Sequence, residues 1–272
     1  MFSLEAFGIE CQDRALRNDG STVALYPDSM VNELDPDLYL QGPRSDRIAP
    51  ERSNRVYCQL MMLSAKMKQI AYSDALPAGE SLLDYGCADK PYEKLLKQKF
   101  VNHVGADLPG NKCADIEIKP GGALPCADGS FDCVLSSQVL EHVTDPKLYL
   151  QEAFRVLKAG GSLIVSTHGI WPYHPDPTDF WRWTIDGLQR EIRLAGFEIS
   201  LVKSVFGIES VALQLWQDAT YERLPRFLQP TYTWFIQAII GFIEARHPNK
   251  VSNDASVYIV LARKPAAVGT RL

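Results

Sequence analysis

The sequence predicts an α/β fold, an open and mainly parallel sheet with helices on both faces, over roughly residues 78–265. Three observations predict it. From Ser81 onward, short apolar runs alternate with helical stretches. The first run, SLLDYG, ends on an acid and meets a glycine, the strand-to-helix turn at which open α/β sheets bind ligands. Hydrophobic residues make up 46% and aromatics 10% of 272 residues, enough for a full core.

The elements follow in order. Residues 1–52 collect Asp, Asn, Pro and Gly without periodicity and read as an irregular arm or partly ordered lid. Ser53 is the expected cap of a first helix whose face carries Val56, Leu60, Leu63, Met67 and Ile70, stepping by four and three up to Leu76-Pro77. After SLLDYG, Tyr92 to Phe100 reads as a helix, HVGAD (103–107) as a second strand, ADIEI (114–118) as a third and FDCVLSS (131–137) as a fourth. Asp145-Pro146 supplies a cap and first-turn proline for a helix to Lys158, with Gly160-Gly161 as its expected stop. SLIVSTH (162–168) is the next strand. Thr184 caps a helix over Ile185 to Leu194, and EISLVKSVF (198–206) and SVYIVLARK (256–264) are strands flanking two helical stretches, Glu209–Glu222 and Thr231–Arg246. The resulting division is 1–77 arm and helix, 78–206 core, 207–255 helical insertion, and 256–272 last strand and tail.

Charge narrows the partners. Twenty-eight basic against 33 acidic residues give a net charge of −5, without the basic field that binding a phosphate backbone requires, so no nucleic-acid partner is expected. The six cysteines include no Cys-x-x-Cys pair and no histidine at zinc-finger spacing; they read as reduced thiols, a cytoplasmic location is expected, and no metal site is assigned. The N-terminus has no signal-peptide pattern, and the longest uncharged run, Phe227 to Ile243, is too short and too interrupted to span a bilayer. Within it, Tyr232–Ile243 carries a wide apolar arc that reads as core or as the contact of a homodimer, rather than as a membrane-surface helix for a lipid-linked acceptor.

Two acids mark the nucleotide end. Asp84 closes the first strand beside Gly86, and Asp107 closes the second, near the spacing at which an acid meets a ribose hydroxyl pair. Downstream, LPCADGSFDCVLSSQVLEHVTDP and EAFRVLKAGGSLIVST resemble the class I S-adenosylmethionine-dependent methyltransferases of the methyltransferase-11 type, over about residues 78–205. The resemblance implies a Rossmann-like sheet of seven strands in the order 3-2-1-4-5-7-6, the last antiparallel, and S-adenosylmethionine as cofactor. It implies Asp84, Gly86, Cys87 and Ala88 at the methionine end, Asp107 on the ribose and Leu108 on the adenine. Asp115 and Ile116 are implied at the adenine edge, and Ser136 and Gln138 beside the methionine portion. His142 is read as packing alone. One departure stands out: the family's Gly-x-Gly-x-Gly loop reads Gly86-Cys87-Ala88-Asp89-Lys90. Ala88 there either sits in an unstrained turn or crowds the cofactor.

The acceptor is addressed by HGIWPYHPDPTDFWRWT (168–184), similar to a segment of methyltransferases encoded among polysaccharide and glycan biosynthesis genes. Its aromatics suit sugar rings, its carboxylates and arginine suit hydroxyls or phosphates, and the expected acceptor is a sugar or other small hydroxylated metabolite. The absence of an Asn/Asp-Pro-Pro-aromatic motif after the fourth strand disfavours amino-group acceptors. His174 and then His168 are the candidate bases, with Asp179 beside them; the competing reading is that all three pin the loop. Arg44, Arg47, Arg52 and Arg55 form a basic cluster read as a solvated face or a diphosphate contact. An inactive, cofactor-binding scaffold is the alternative function.

Overall fold

The computed structural model describes residues 50–176, 178–246 and 250–266. The chain divides into residues 1–34 and residues 35–272, and every element below belongs to the second part. Residues 1–49 of the expected arm, with Arg44 and Arg47, lie outside the described residues.

One sheet holds β1 (Gly79–Tyr85), β2 (Phe100–Asp107), β3 (Ile116–Glu117), β4 (Phe131–Ser137), β5 (Leu157–His168), β6 (Glu198–Val205) and β7 (Val257–Arg263). Their order is β3-β2-β1-β4-β5-β7-β6, with β7 antiparallel to both neighbours and the other pairs parallel. This is the class I arrangement that the sequence implies. The strand order reverses between β1 and β4, which opens a crevice at their carboxyl ends.

Side chains alternate across the sheet, so the two faces bury different partners. Leu82, Cys133, Leu135, Ile164 and Ile259 pack on one face with Leu63, Met67 and Ile70 of α1 (Tyr57–Ala71) and Ile236 and Ile240 of α6 (Gln229–Arg246). Leu83, Val134, Leu163 and Val165 pack on the other with Leu150 and Ala153 of α3 (Pro146–Val156) and Leu188 and Ile192 of α4 (Ile185–Leu194). Two further helices complete the described part, α2 (Glu93–Leu96) and α5 (Ile208–Tyr221).

Caps decide where the helices start. Asp145 and Thr184 accept from the backbone N–H groups of Leu148 and Gly187, as their positions predict. Ser53 does not cap α1; Asn54 Oδ1 accepts from Val56 N instead, and the helix begins at Tyr57. The helix expected over 92–100 shrinks to one turn, Glu93–Leu96, because Phe100 opens β2 and Lys99 O, just before it, accepts from Gly79 N. Gly160-Gly161 do not stop α3. The helix ends at Val156, Leu157 turns extended opposite Phe131, and the four residues 158–161 bulge out before Ser162 pairs with Cys133. In α6 the buried residues include Ile236 and Ile240, while Phe235 and Phe242, expected on the apolar face, are exposed. Among the described residues no helix is long and apolar enough to cross a membrane.

Candidate functional site

The carboxyl edge of β1, β2 and β4 gathers the nucleotide-end residues. Gly86, Ala88 and Lys90 all take positive φ, at 81, 46 and 53°. The loop therefore keeps the alternating left-handed backbone of a glycine-rich turn, with alanine and lysine standing where glycine relieves strain. Of the two sequence options for Ala88, the unstrained turn is therefore excluded. Gly86 is irreplaceable on a second count, since a Cβ there would meet the Val139 side chain at 2.5 Å.

Each carboxylate at this edge has partners from the chain itself. Asp84 is buried, and its Oδ2 lies 3.0 Å from His103 Nε2 on β2. Sequence reading missed His103; its place two residues before Gly105, the residue that pairs with Asp84, was the available signal. Asp107 Oδ2 accepts from Ala88 N at 2.7 Å and Asn111 Nδ2 at 2.8 Å, and Oδ1 accepts from Leu108 N. Asp115 Oδ2 accepts from Gly105 N at 2.7 Å and pairs with Lys90 Nζ at 2.5 Å. Those two bonds, led by the Lys90 ammonium, hold its carboxyl below the usual range. Asp115 thus ties the glycine-type loop to β2, one residue ahead of Ile116, which pairs with Ala106. Cys87 is buried beneath the loop, and burial raises its thiol.

Two side chains point elsewhere than the sequence implies. Ser136 Oγ bonds to Tyr149 Oη at 2.9 Å, and Tyr149 Oη donates to Tyr85 O, so Ser136 turns its hydroxyl into the helix layer. Gln138, at a φ of 58°, donates from N to Ser166 O and from Nε2 to Ser166 Oγ. At Gln138 the backbone N–H and the side-chain amide are thus both engaged with Ser166.

Beyond β5 the loop 169–183 is organised by Arg182. Its Nη1 and Nη2 donate to Asp179 Oδ1 and Oδ2, each at 2.5 Å, and its remaining donors reach Trp171 O, Pro172 O and Trp181 O. The guanidinium is consumed by the loop, which corrects the expectation that it meets substrate. Asp179, its side chain 2% exposed, also accepts from His174 N. Burial works to raise the Asp179 carboxyl, but the Arg182 bonds and the His174 N–H win and bring it to about 2. Asp179 therefore pins the loop. Around it, Tyr173, Phe180 and Trp181 present exposed rings.

Three imidazoles meet beneath this loop. His142 and His174 rings lie edge-on at 5.0 Å and His168 and His174 at 4.8 Å, while His168 stacks on Trp171 at 5.2 Å. His142, read from the sequence as packing alone, thus joins the two candidate bases. Glu141 is completely buried among them: its Oε2 accepts from Thr167 Oγ1 at 2.7 Å, and its Oε1 lies 3.7 Å from His168 Nε2 and 4.0 Å from His142 Nε2. The tautomers follow from the partners. His142 Nδ1 faces Thr178 O at 2.5 Å and His168 Nδ1 faces Ser256 O at 3.3 Å; a carbonyl only accepts, so both Nδ1 atoms carry hydrogen. His174 Nδ1 lies 3.3 Å from Asp179 Oδ2 and 3.4 Å from Arg182 Nη2. Both Nη2 hydrogens already serve Asp179 and Pro172, so His174 Nδ1 donates to Asp179 and its Nε2 keeps the lone pair. Burial holds His168 well below, and His174 below, the ordinary imidazole value. His174 is the reachable member, its side chain 31% exposed against 7% for His168.

A cleft of about 310 Å³ adjoins the loop, lined by Asn54, Arg55, Val56, Trp171, Pro172 and Asp218. Arg55 stacks over Tyr221 at 4.7 Å, and burial raises the Asp218 carboxyl.

Comparison with known proteins adds the following. Residues 59–203 match the model of a family described as a methyltransferase domain. An uncharacterized methyltransferase of Mycobacterium sp. (strain KMS) is 27% identical over 200 residues, 66% of this chain and 78% of the relative. The 2-methyl-6-phytyl-1,4-hydroquinone methyltransferase of Synechocystis sp. is 30% identical over 131 residues, 42% of this chain and 40% of the relative. The ubiquinone biosynthesis O-methyltransferase of Ruegeria sp. is 35% identical over 108 residues, 35% and 44% of the two chains. Three curated relatives are matched over only 36 to 56% of their own length. Among solved structures, phosphoethanolamine N-methyltransferase 2 of Haemonchus contortus, in complex with S-adenosyl-L-methionine, superposes with a TM-score of 0.49 at 14% identity, covering 81% of this chain and 59% of that one.

Proposed function

Since this chain belongs to the methyltransferase-domain family, we propose that it is an S-adenosylmethionine-dependent methyltransferase acting on an oxygen of a sugar or other small hydroxylated metabolite. The observation that carries the reading is the crevice at the β1–β4 reversal, where a left-handed turn at Gly86, Ala88 and Lys90 meets the strand-end acids Asp84 and Asp107. A backbone so shaped fits close approach of a nucleotide, and it gives no support to an inactive scaffold, because Ala88 keeps the geometry that glycine serves.

When bound, S-adenosylmethionine supplies a sulfonium methyl that an acceptor oxygen takes as the carbon–sulfur bond breaks toward sulfur. The chain's part is alignment and proton removal. Asp107 would accept from the ribose hydroxyls, Leu108 would pack the adenine, and Ile116 with its neighbours would offer backbone at the adenine edge. Asp84, steadied by His103, would face the methionine end with Gly86, Cys87 and Ala88, beside Ser136 and Gln138. On the acceptor side the proton leaves through the histidine cluster, with His174 its more exposed member and His168 buried behind it. Exposed rings at Tyr173, Phe180 and Trp181 suit the faces of a sugar.

Calorimetric titration with S-adenosylhomocysteine tests the reading. Binding is expected, and Asp107→Ala should weaken it by at least about 1.5 kcal/mol through lost charged hydrogen bonds. No binding to the wild-type protein overturns the cofactor reading; unchanged affinity in the variant overturns the ribose assignment alone. Transfer of labelled methyl groups to a panel of sugars and nucleotide-sugars then names the acceptor.

A further inference from the structure

Glu141, His142 and His174 each offer one ligand atom, and these atoms all lie within 4.8 Å of one another. We infer that they form a site for a divalent transition-metal ion of the Zn²⁺ kind, leaving one coordination position open for water or an acceptor oxygen.

The donor set comes first. Two imidazoles and a carboxylate suit a borderline ion such as Zn²⁺, and three protein ligands with an open fourth position are the pattern of catalytic rather than structural sites. Distance is the second point. Glu141 Oε1 stands 4.0 Å from His142 Nε2 and 3.7 Å from His168 Nε2, beyond hydrogen-bond reach in both cases. Ligand atoms at about 2.0–2.2 Å from a tetrahedral ion are about 3.4 Å apart, so shifts of roughly 1 Å close the site.

The tautomers are the third. His142 donates from Nδ1 to Thr178 O, and His174 from Nδ1 to Asp179, so the ligand-bearing nitrogen of each is Nε2. Metal-bound histidines commonly donate their other N–H to a carbonyl or carboxylate in this way, which fixes ring orientation. Thr167 likewise fixes Glu141 through Oε2, leaving Oε1 on the imidazole side. Imidazole lone pairs that face a carboxylate repel it, and an ion between them turns the repulsion into coordination. His168 then stands as a positioning residue behind the site, stacked on Trp171.

Binding of the ion is independent of the methyl-transfer reading. Its role rests on that reading: with the ion bound, the His174 Nε2 lone pair is a ligand rather than the base, and the ion itself holds the acceptor hydroxyl and lowers its pKa. The test uses the full-length protein, stripped with chelator and dialysed, titrated with ZnCl₂ by calorimetry and with Co²⁺ by visible absorption, without cofactor. One equivalent is expected, with affinity lowered at least about tenfold in His142→Ala and in His174→Ala and unchanged in Cys113→Ser, which removes an exposed thiol. His142→Gln and His174→Gln, each checked for an unchanged apo Tm, separate lost ligation from lost fold. Absence of saturable binding, equal affinity in the histidine variants, or loss of binding in Cys113→Ser overturns the site. Metal binding without S-adenosylhomocysteine binding leaves the site standing and removes the methyl-transfer reading; the reverse pattern removes only the site.

Discussion

At the nucleotide end, the strand-end acids have partners at hydrogen-bond distance: Ala88 N and Asn111 for Asp107, Lys90 and Gly105 N for Asp115, His103 for Asp84. Beneath the aromatic loop, Glu141 Oε1 lies 3.7 to 4.0 Å from the Nε2 atoms of His168 and His142, beyond hydrogen-bond distance of either. The first region is held by its own contacts; the second leaves ligand atoms spaced for something to enter between them. Preorganisation of the first kind gives affinity, and of the second kind chemistry. Variants in the two regions should accordingly fail in different assays.

The largest expected effect is in the second region. His174→Ala should lower kcat by about 10²–10⁴-fold, with S-adenosylhomocysteine affinity within error of wild type, because the residue meets only the acceptor side. Steady-state kinetics and calorimetry on the same preparation decide it. If activity survives there and vanishes in His168→Ala with fold and cofactor affinity intact, the two histidines exchange roles. A parallel loss of cofactor affinity would erase the division between the regions.

A middle-sized effect belongs to the frame that carries His174. Arg182→Lys keeps the charge but cannot serve Asp179, Trp171 O, Pro172 O and Trp181 O together, so it should destabilise the loop by about 2–3 kcal/mol. The expected reading is faster hydrogen exchange and a shifted Trp fluorescence confined to 169–183, a raised KM for the acceptor, and nucleotide affinity unchanged. Exchange rates equal to wild type would show that the loop is held by its aromatics instead.

The two regions also differ in how much of them the sequence discloses. The nucleotide end is local: SLLDYG and HVGAD are consecutive strands, and an acid at a strand end beside a glycine carries its meaning within a few residues. The strand order and the β7 reversal are implied by the family resemblance alone, whereas the Asp145 and Thr184 caps are legible for the same local reason, since capping is short-range. The histidine cluster is not. Glu141 and His142 follow β4, His168 ends β5, and His174 lies in the loop beyond, so only the pairing of β4 with β5 brings them together. A lone histidine after a strand looks like packing until its neighbours are known. Side-chain direction was equally hidden, as Ser136 shows by turning toward Tyr149, and Arg182 by spending its donors on three carbonyls and an aspartate.

The smallest effect tests whether the nucleotide end has strain built into it. Ala88 holds φ at 46°, a region where an L-residue with a Cβ is disfavoured by about 1 kcal/mol or more and glycine is not. Ala88→Gly removes that strain from the folded state but gives the unfolded chain more freedom, a cost of about 0.4–1 kcal/mol. The two contributions nearly cancel, so Tm should move by no more than a few degrees. Cofactor affinity is the sharper measurement, because Ala88 N donates to Asp107 Oδ2 and the methyl group sits on the loop that approaches the ligand. Removing a methyl group while keeping the N–H should leave S-adenosylhomocysteine binding equal or up to a few-fold tighter, with no change in acceptor KM. A marked loss of affinity would mean that the left-handed turn depends on its alanine, and that this end of the crevice is shaped by side-chain packing rather than by backbone alone.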